Sequence, residues 1–289
     1  MVQLKQCCAS GSLHTGTPTG RIEKVFGLDT YVAEPPCGNP KGVVVIVPDA
    51  FGIGLPNNRI LADEYARTGN FKVYLPDFMD GFVLPLEVML SLKALSATGF
   101  WNQVYKIGHM LYIMRWFFPL KYFLREAVCG PRVFHFFKSL RANEGATLPV
   151  GTAGFCWGGL YVTRLSADTV RTNDNRRLID CGFVAHPSGL KYPDDIESIQ
   201  LPYACAAAED DMMMSSSQAK QTQEILEAKT VKQKTETGVE HEFVMYHGAH
   251  HGFAVRADEN DKEEAEKGRK AGEQAVGWFS RWFEKPLPA

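Results

Sequence analysis

Five branched residues in succession, Val43-Val44-Val45-Ile46-Val47, stop at Pro48-Asp49. Such a run has no polar side to offer water. It therefore reads as a strand covered on both faces, as in a parallel sheet. The turn-rich Pro35-Pro36-Cys37-Gly38-Asn39-Pro40 precedes it. Parallel neighbours need a crossover, and 57–68 supplies one: Ile60, Leu61 and Tyr65 share a helical face, and Gly69 lies beyond the end. Lys72-Val73-Tyr74-Leu75 is the next strand, stopped by Pro76-Asp77.

The rhythm returns later in the chain. Strands are expected at 150–155, 182–186, 203–208 and 242–246, and helices at 158–167, 217–229 and 263–283. In the last helix Ala271, Ala275, Trp278, Phe279 and Trp282 recur at helical spacing. Strands separated by helices imply a mostly parallel central sheet with helices on both faces. Between 81 and 148 the rhythm stops. That stretch is aromatic and helical in character, with Tyr105, Tyr112, Trp116-Phe117-Phe118, Tyr122-Phe123 and Phe136-Phe137. It is expected to be a helical insertion near the active-site edge, packing on the body and shaping an apolar lid. A membrane-surface helix fits it less well, because the stretch shows no clean basic face. Residues 1–20 are expected to form an arm over the surface of a single domain spanning 1–289.

Composition narrows the function. A net charge of −2 gives no support to a nucleic-acid partner. Seven cysteines, with no CxxC pair, argue against a disulfide framework and a zinc knuckle. Cys181 and Cys205 fall in apolar strand-like runs and read as core thiols. The first residues lack the apolar core of a signal peptide, and no window approaches the roughly 20 apolar residues of a spanning helix. The expectation is a cytoplasmic protein without stable membrane insertion, in a reducing compartment where a thiol survives. Monomer and homodimer both remain open.

The chemistry centres on Gly154-Phe155-Cys156-Trp157-Gly158, where a strand runs straight into a helix. This is the nucleophile elbow of the α/β-hydrolase fold, with Cys in place of Ser. The turn is so tight that side chains two before and two after the nucleophile would strike the neighbouring strand and helix. It also sets the sulfur at a helix N-terminus, where backbone N–H groups favour thiolate. Such a site needs an acid after a later strand and a histidine after the last one. Glu209-Asp210-Asp211 and His247-Gly248-Ala249-His250-His251 stand in that order, each at a strand's C-terminal end. Any of the three acids and any of His247, His250 and His251 could serve. Neighbouring histidines also raise a metal site, but no matching ligand set stands elsewhere, so neither metal nor cofactor is expected.

Gly-Phe-Cys-Trp-Gly-Gly, the Ala-Glu-Asp-Asp segment and His-His-Gly-Phe together resemble the dienelactone hydrolase family. Pro48-Asp49-Ala50-Phe51-Gly52-Ile53, Asn58-Arg59-x-x-Ala62-Asp63 and Tyr74-Leu75-Pro76-Asp77-Phe78 extend the resemblance over most of the chain from about Gly20. The opening, Cys7-Cys8 followed by His14-x-Gly16-Thr17-Pro18-Thr19-Gly20, looks like the fungal-type branch. The resemblance implies a Cys156–Asp211–His251 triad. It also implies that Asp49 modulates the thiol, although bacterial members carry Glu there. Backbone N–H groups of Ala50 and Trp157 would form the oxyanion hole. Arg256 stands one residue beyond the place where bacterial members bind a substrate carboxylate. The expected function is hydrolysis of a small-molecule lactone or activated ester. The alternatives are a silent, redox or ligand-binding protein on the same fold, or a thioesterase.

Overall fold

The computed structural model describes residues 12–95 and 100–285. Cys7, Cys8 and the first part of the expected arm lie outside the described residues.

A hairpin opens the chain. β1 (Arg21–Val25) and β2 (Leu28–Ala33) are antiparallel and joined by Phe26-Gly27, both at positive φ (48° and 88°). A two-residue turn with that backbone matches the twist of its strands. β3 (Val43–Val47) is wholly buried. α1 (Pro56–Gly69) starts with proline, whose missing N–H costs nothing in a first turn, and ends at Asn70 in the left-handed region. β4 (Lys72–Pro76) follows. Then come α2 (Leu86–Leu95), α3 (Phe100–Phe123) and α4 (Glu126–Ala142).

β5 (Val150–Phe155), α5 (Trp157–Ser166), β6 (Cys181–Ala185), the short α6 (Asp194–Glu197) and β7 (Tyr203–Asp210) restore the alternation. α7 (Ser216–Glu236) begins at Ser215, which shares a reciprocal capping box with Gln218. β8 (His241–His250), the short α8 (Phe253–Arg256) and α9 (Lys262–Glu284) complete the chain. The eight strands lie in the order β1-β2-β4-β3-β5-β6-β7-β8, and all neighbours from β4 to β8 are parallel. This is the α/β architecture expected from the sequence.

The two faces of the sheet are filled from opposite sides. A Cβ on Gly151 of β5 would stand 2.6 Å from Phe279 of α9, so glycine there lets the helix lie close to the sheet. A Cβ on Gly182 of β6 would meet Ser166 at 2.6 Å and Val162 at 3.0 Å, both on α5. α4 belongs to the packed body. Its Phe136 meets Phe26, Tyr74 and Phe78 edge-on, at centroid distances of 5.3, 6.1 and 5.7 Å. Edge-to-face contacts of this kind add about 0.5–1.5 kcal/mol each beyond simple burial. The peripheral part of the 81–148 stretch is therefore α3, since Val133, Phe136, Phe137 and Leu140 of α4 are fully buried and Val88 and Met89 of α2 are buried too.

The described part of the arm, 12–20, is tied down by hydrogen bonds. Ser12 N–H donates to Arg256 O at 3.1 Å, and Ser12 Oγ to Ala257 O at 3.1 Å. Asn57 Nδ2 donates to both Ser12 O (2.9 Å) and Val255 O (3.0 Å). Thr19 N–H donates to Asp63 at 2.6 Å.

Candidate active site

Cys156 sits between β5 and α5 with φ 51° and ψ −115°. A residue with a Cβ is strained there and must be held from outside. The restraints are visible. Cys156 N–H donates to Ala185 O at 3.3 Å, and its carbonyl accepts from Gly159 N–H (3.0 Å) and Ser188 N–H (2.9 Å). The flanking glycines are compulsory. A Cβ on Gly158 would lie 1.9 Å from Val47 O, one on Gly154 2.7 Å from Gly158 O, and one on Gly159 2.6 Å from Pro187 Cβ.

The two polar clusters resolve by register. β7 and β8 pair evenly up to Ala208 and Tyr246, and the next pair is Asp210 with His250. β8 thus carries two extra residues here, with Gly248 at φ 65°. The irregularity brings the residue after each strand together. His251 Nδ1 lies 2.9 Å from both Asp211 oxygens, and the two side chains are buried. Asp211 Oδ1 also accepts from Met213 N–H at 2.8 Å, which fixes the carboxylate. The rivals lie elsewhere. Glu209 is exposed and accepts from Gly248 N–H at 2.8 Å, with His247 Nδ1 2.9 Å away. Asp210 is exposed too.

The other ring nitrogen of His251, Nε2, is buried with no hydrogen-bond partner among the described residues. Burial alone pushes the Cys156 thiol up, but His251 brings it below the ordinary value of 9.0. Arg256 lowers it further and Asp49 opposes them. His251 behaves in the complementary way. Burial pushes it down, but the Cys156 charge and the Asp211 hydrogen bond raise it to about 10. Each shift favours the charged form of its group.

Asp49 and Arg256 are bonded to each other through Oδ2 and Nη1, with side-chain exposures of 0% and 7%. Asp49 Oδ1 also accepts from Phe51 N–H and Asn58 Nδ2, each at 3.1 Å. The Arg256 guanidinium lies 5.1 Å over the Phe51 ring. Arg256 is thus an interior residue beside the thiol, and its Nη1 is held by the chain's own carboxylate. Trp157 is the first residue of α5, a position whose N–H has no intrahelical acceptor. Among the described residues Ala50 N–H makes no hydrogen bond either.

Two residues at this edge escape a sequence reading. His186, at φ 40°, is fully buried, and neither ring nitrogen has a partner among the described residues. Its ring meets that of His251 edge-on at 4.9 Å. Burial, followed by the charge of His251, drives its pKa well below 6.5 and keeps it neutral. Ser188 Oγ lies 3.6 Å from Cys156 Sγ. Both belong to His186-Pro187-Ser188 at the end of β6. Their only signal in the sequence is a polar triplet at the strand end next to the elbow.

Among the described residues no group of three or more His, Cys, Asp or Glu is arranged to hold a metal ion. A cavity of about 540 Å³ between the arm and α1 is lined by Thr19, Gly20, Asp63 and Arg67, among others. It contains no residue of the Cys156 cluster, so its size carries no catalytic argument.

Known proteins extend this comparison to the whole chain. Hydrolase tropI of Talaromyces stipitatus is 29% identical over 283 residues, covering 97% of each chain. Dienlactone hydrolase 1 of Gibberella moniliformis is 27% identical, covering 96% of this chain and 94% of its own. Among solved structures, dienelactone hydrolase from Anabaena variabilis superposes with a TM-score of 0.53 at 14% identity, over 95% of this chain and all of that one. At that identity the superposition speaks for the fold alone. Residues 28–283 match the dienelactone hydrolase family, so the chain belongs to that family and is a hydrolase of the α/β-hydrolase fold.

Proposed function

We propose that the chain hydrolyses a lactone or activated ester through a thioacyl-enzyme on Cys156, with His251 and Asp211 completing a triad. The observation that carries the reading is the 2.9 Å contact of His251 Nδ1 with both oxygens of buried Asp211, beside a thiol held on a strained elbow. Asp211 fixes the imidazole and supports its positive charge. The Cys156 thiolate attacks the carbonyl carbon, and the developing oxyanion lies against the N–H groups of Ala50 and Trp157. Each such donor is worth roughly 3 kcal/mol in the transition state. The carbon–oxygen bond then breaks, and the leaving alkoxide takes the proton from His251. In the second half His251 takes a proton from water as the hydroxyl attacks the thioester. The carboxylic acid leaves, and thiolate and imidazolium are regenerated. Asp49 raises the thiol's proton affinity and so restrains the nucleophile. Arg256 can receive a substrate carboxylate only through guanidinium nitrogens that Asp49 leaves open.

The test is a panel of enol-lactones and aryl esters, with mass detection of an acyl group on Cys156. The acyl adduct is expected in the wild type and absent in Cys156→Ala, whose turnover falls to background. Undiminished turnover in that variant sinks the proposal, and no turnover in the wild type leaves a binding or redox role.

Ser188 belongs to the same reading as a hydroxyl donor to the thiolate. Hydrogen bonds to charged groups exceed neutral ones, although a sulfur acceptor lies at the weak end. Ser188→Ala is expected to slow alkylation of Cys156 near neutral pH by roughly five- to tenfold. A pH profile that overlays the wild type would remove Ser188 from the mechanism.

A further inference from the structure

α3 presents an unpartnered apolar face. Ile107, Leu111, Met114 and Phe118 recur at helical spacing, and they are 62, 63, 58 and 77% exposed. The opposite face is apolar as well, with Trp116 and Leu120 packed against the core. A helix apolar on both sides belongs in an interior or against lipid, and α3 has no protein over its outer face among the described residues.

Charge decides the occupant. The 24 residues of α3 include no Asp or Glu, and its charged side chains are all basic. Lys121 lies 5.2 Å over the Phe117 ring, and Arg125, just beyond the helix, 4.0 Å over the Tyr122 ring. Arg115 is exposed on the same half of the helix. Glu126, the nearest acid after the helix, is paired with Arg164 of α5. Two copies meeting through this face would bring Arg115, Lys121 and Arg125 together with no carboxylate of α3 to receive them. An anionic surface supplies that counter-charge, while its acyl region takes the apolar stripe. Among the described residues no helix is long and apolar enough to cross a membrane, so the contact would lie along the surface.

We infer that the outer face of α3 docks on an anionic lipid surface. The cations lie beside the aromatic rings rather than on a separate basic face, within reach of headgroup phosphates. Docking here would set the catalytic edge close to the lipid, since Trp157 Nε1 donates to Leu124 O at 3.2 Å, one residue past α3.

The experiment is co-sedimentation of the full chain with phosphatidylcholine vesicles, with and without about one quarter phosphatidylserine. Binding is expected to be at least about tenfold tighter to the serine-containing vesicles and to fall with added salt. Arg115→Glu with Lys121→Glu, and separately Leu111→Ser with Phe118→Ser, should each weaken it by at least about tenfold. All four positions are exposed, and an unchanged circular-dichroism melt confirms that the variants fold. No sedimentation with either vesicle overturns the inference, and so does equal affinity for both. Sedimentation velocity showing that copies pair through this face, without vesicle binding, overturns it as well. Vesicle binding is read without turnover, so a failed triad and a failed docking face give different results.

Discussion

With His251 replaced by alanine, turnover of an aryl ester is expected to fall by roughly 10⁴-fold. Under the proposed mechanism the variant loses the general acid, the general base and the charge that holds the thiolate. The last of these can be read without any substrate. In the wild type the thiol titrates below its ordinary 9.0 and His251 above 6.5, up to about 10. A lowered thiol pKa carries the thiolate to lower pH than in an ordinary thiol, and it is lost as pH falls through that lowered value. Iodoacetamide should therefore label Cys156 at lower pH than it labels an ordinary thiol. In the alanine variant only burial remains as the leading influence, and burial pushes a thiol up. Its labelling profile is expected to move to higher pH. A profile identical to that of the wild type would deny His251 its role on the thiol.

Arg256→Met is the second large expectation, and its main effect is on stability. The substitution leaves the Asp49 carboxylate buried, with Phe51 N–H and Asn58 Nδ2 as its remaining donors. Breaking a buried ion pair from one side costs about 3–5 kcal/mol, because the surviving charge keeps its desolvation penalty. Urea unfolding should show a loss of that order. The double variant Asp49→Asn, Arg256→Met should recover much of it, since neither charge then remains. The two residues also act on the thiol in opposite directions, Arg256 lowering its pKa and Asp49 raising it. Labelling of Cys156 in Arg256→Met should accordingly shift to higher pH, and in Asp49→Asn to lower pH. A loss under about 1 kcal/mol in the single variant would mean that the pair is solvated in solution.

How much of this was legible follows from where each signal lies. β3 is read directly because its five residues are apolar without alternation and all buried. The β1–β2 hairpin is not, since β1 is largely exposed and its turn, Phe26-Gly27, lacks the usual Asn or Asp before glycine. α3 and α4 look alike in the sequence because both are aromatic. Only packing separates them, Phe136 ending in the interior and Phe118 in solvent. The elbow is local, so Cys156 and its glycines stand out within six residues. Chain order brings the acid and histidine clusters to the same edge, while the choice of Asp211 and His251 needed the family resemblance. The Asp49–Arg256 bond joins residues 207 apart and leaves no periodicity to find. His186 and Ser188 end a strand that reads equally well without them.

The arm at 12–20 bears on when the site can exist. Ser12 hydrogen-bonds to Ala257 across 245 residues, and Asn57 bridges Ser12 to Val255. Ser12, the first of the described residues, thus seats against a segment made about 245 residues later. Loop closure over such a span costs little more than over half of it, so the contact is thermodynamically inexpensive. In time, however, it is late. Cys156 is translated about a hundred residues before Arg256, and for that interval His251, Arg256 and the arm's partners at 255–257 are all missing. Until then the groups that lower the thiol's pKa, His251 first and Arg256 after it, are not there to act on it.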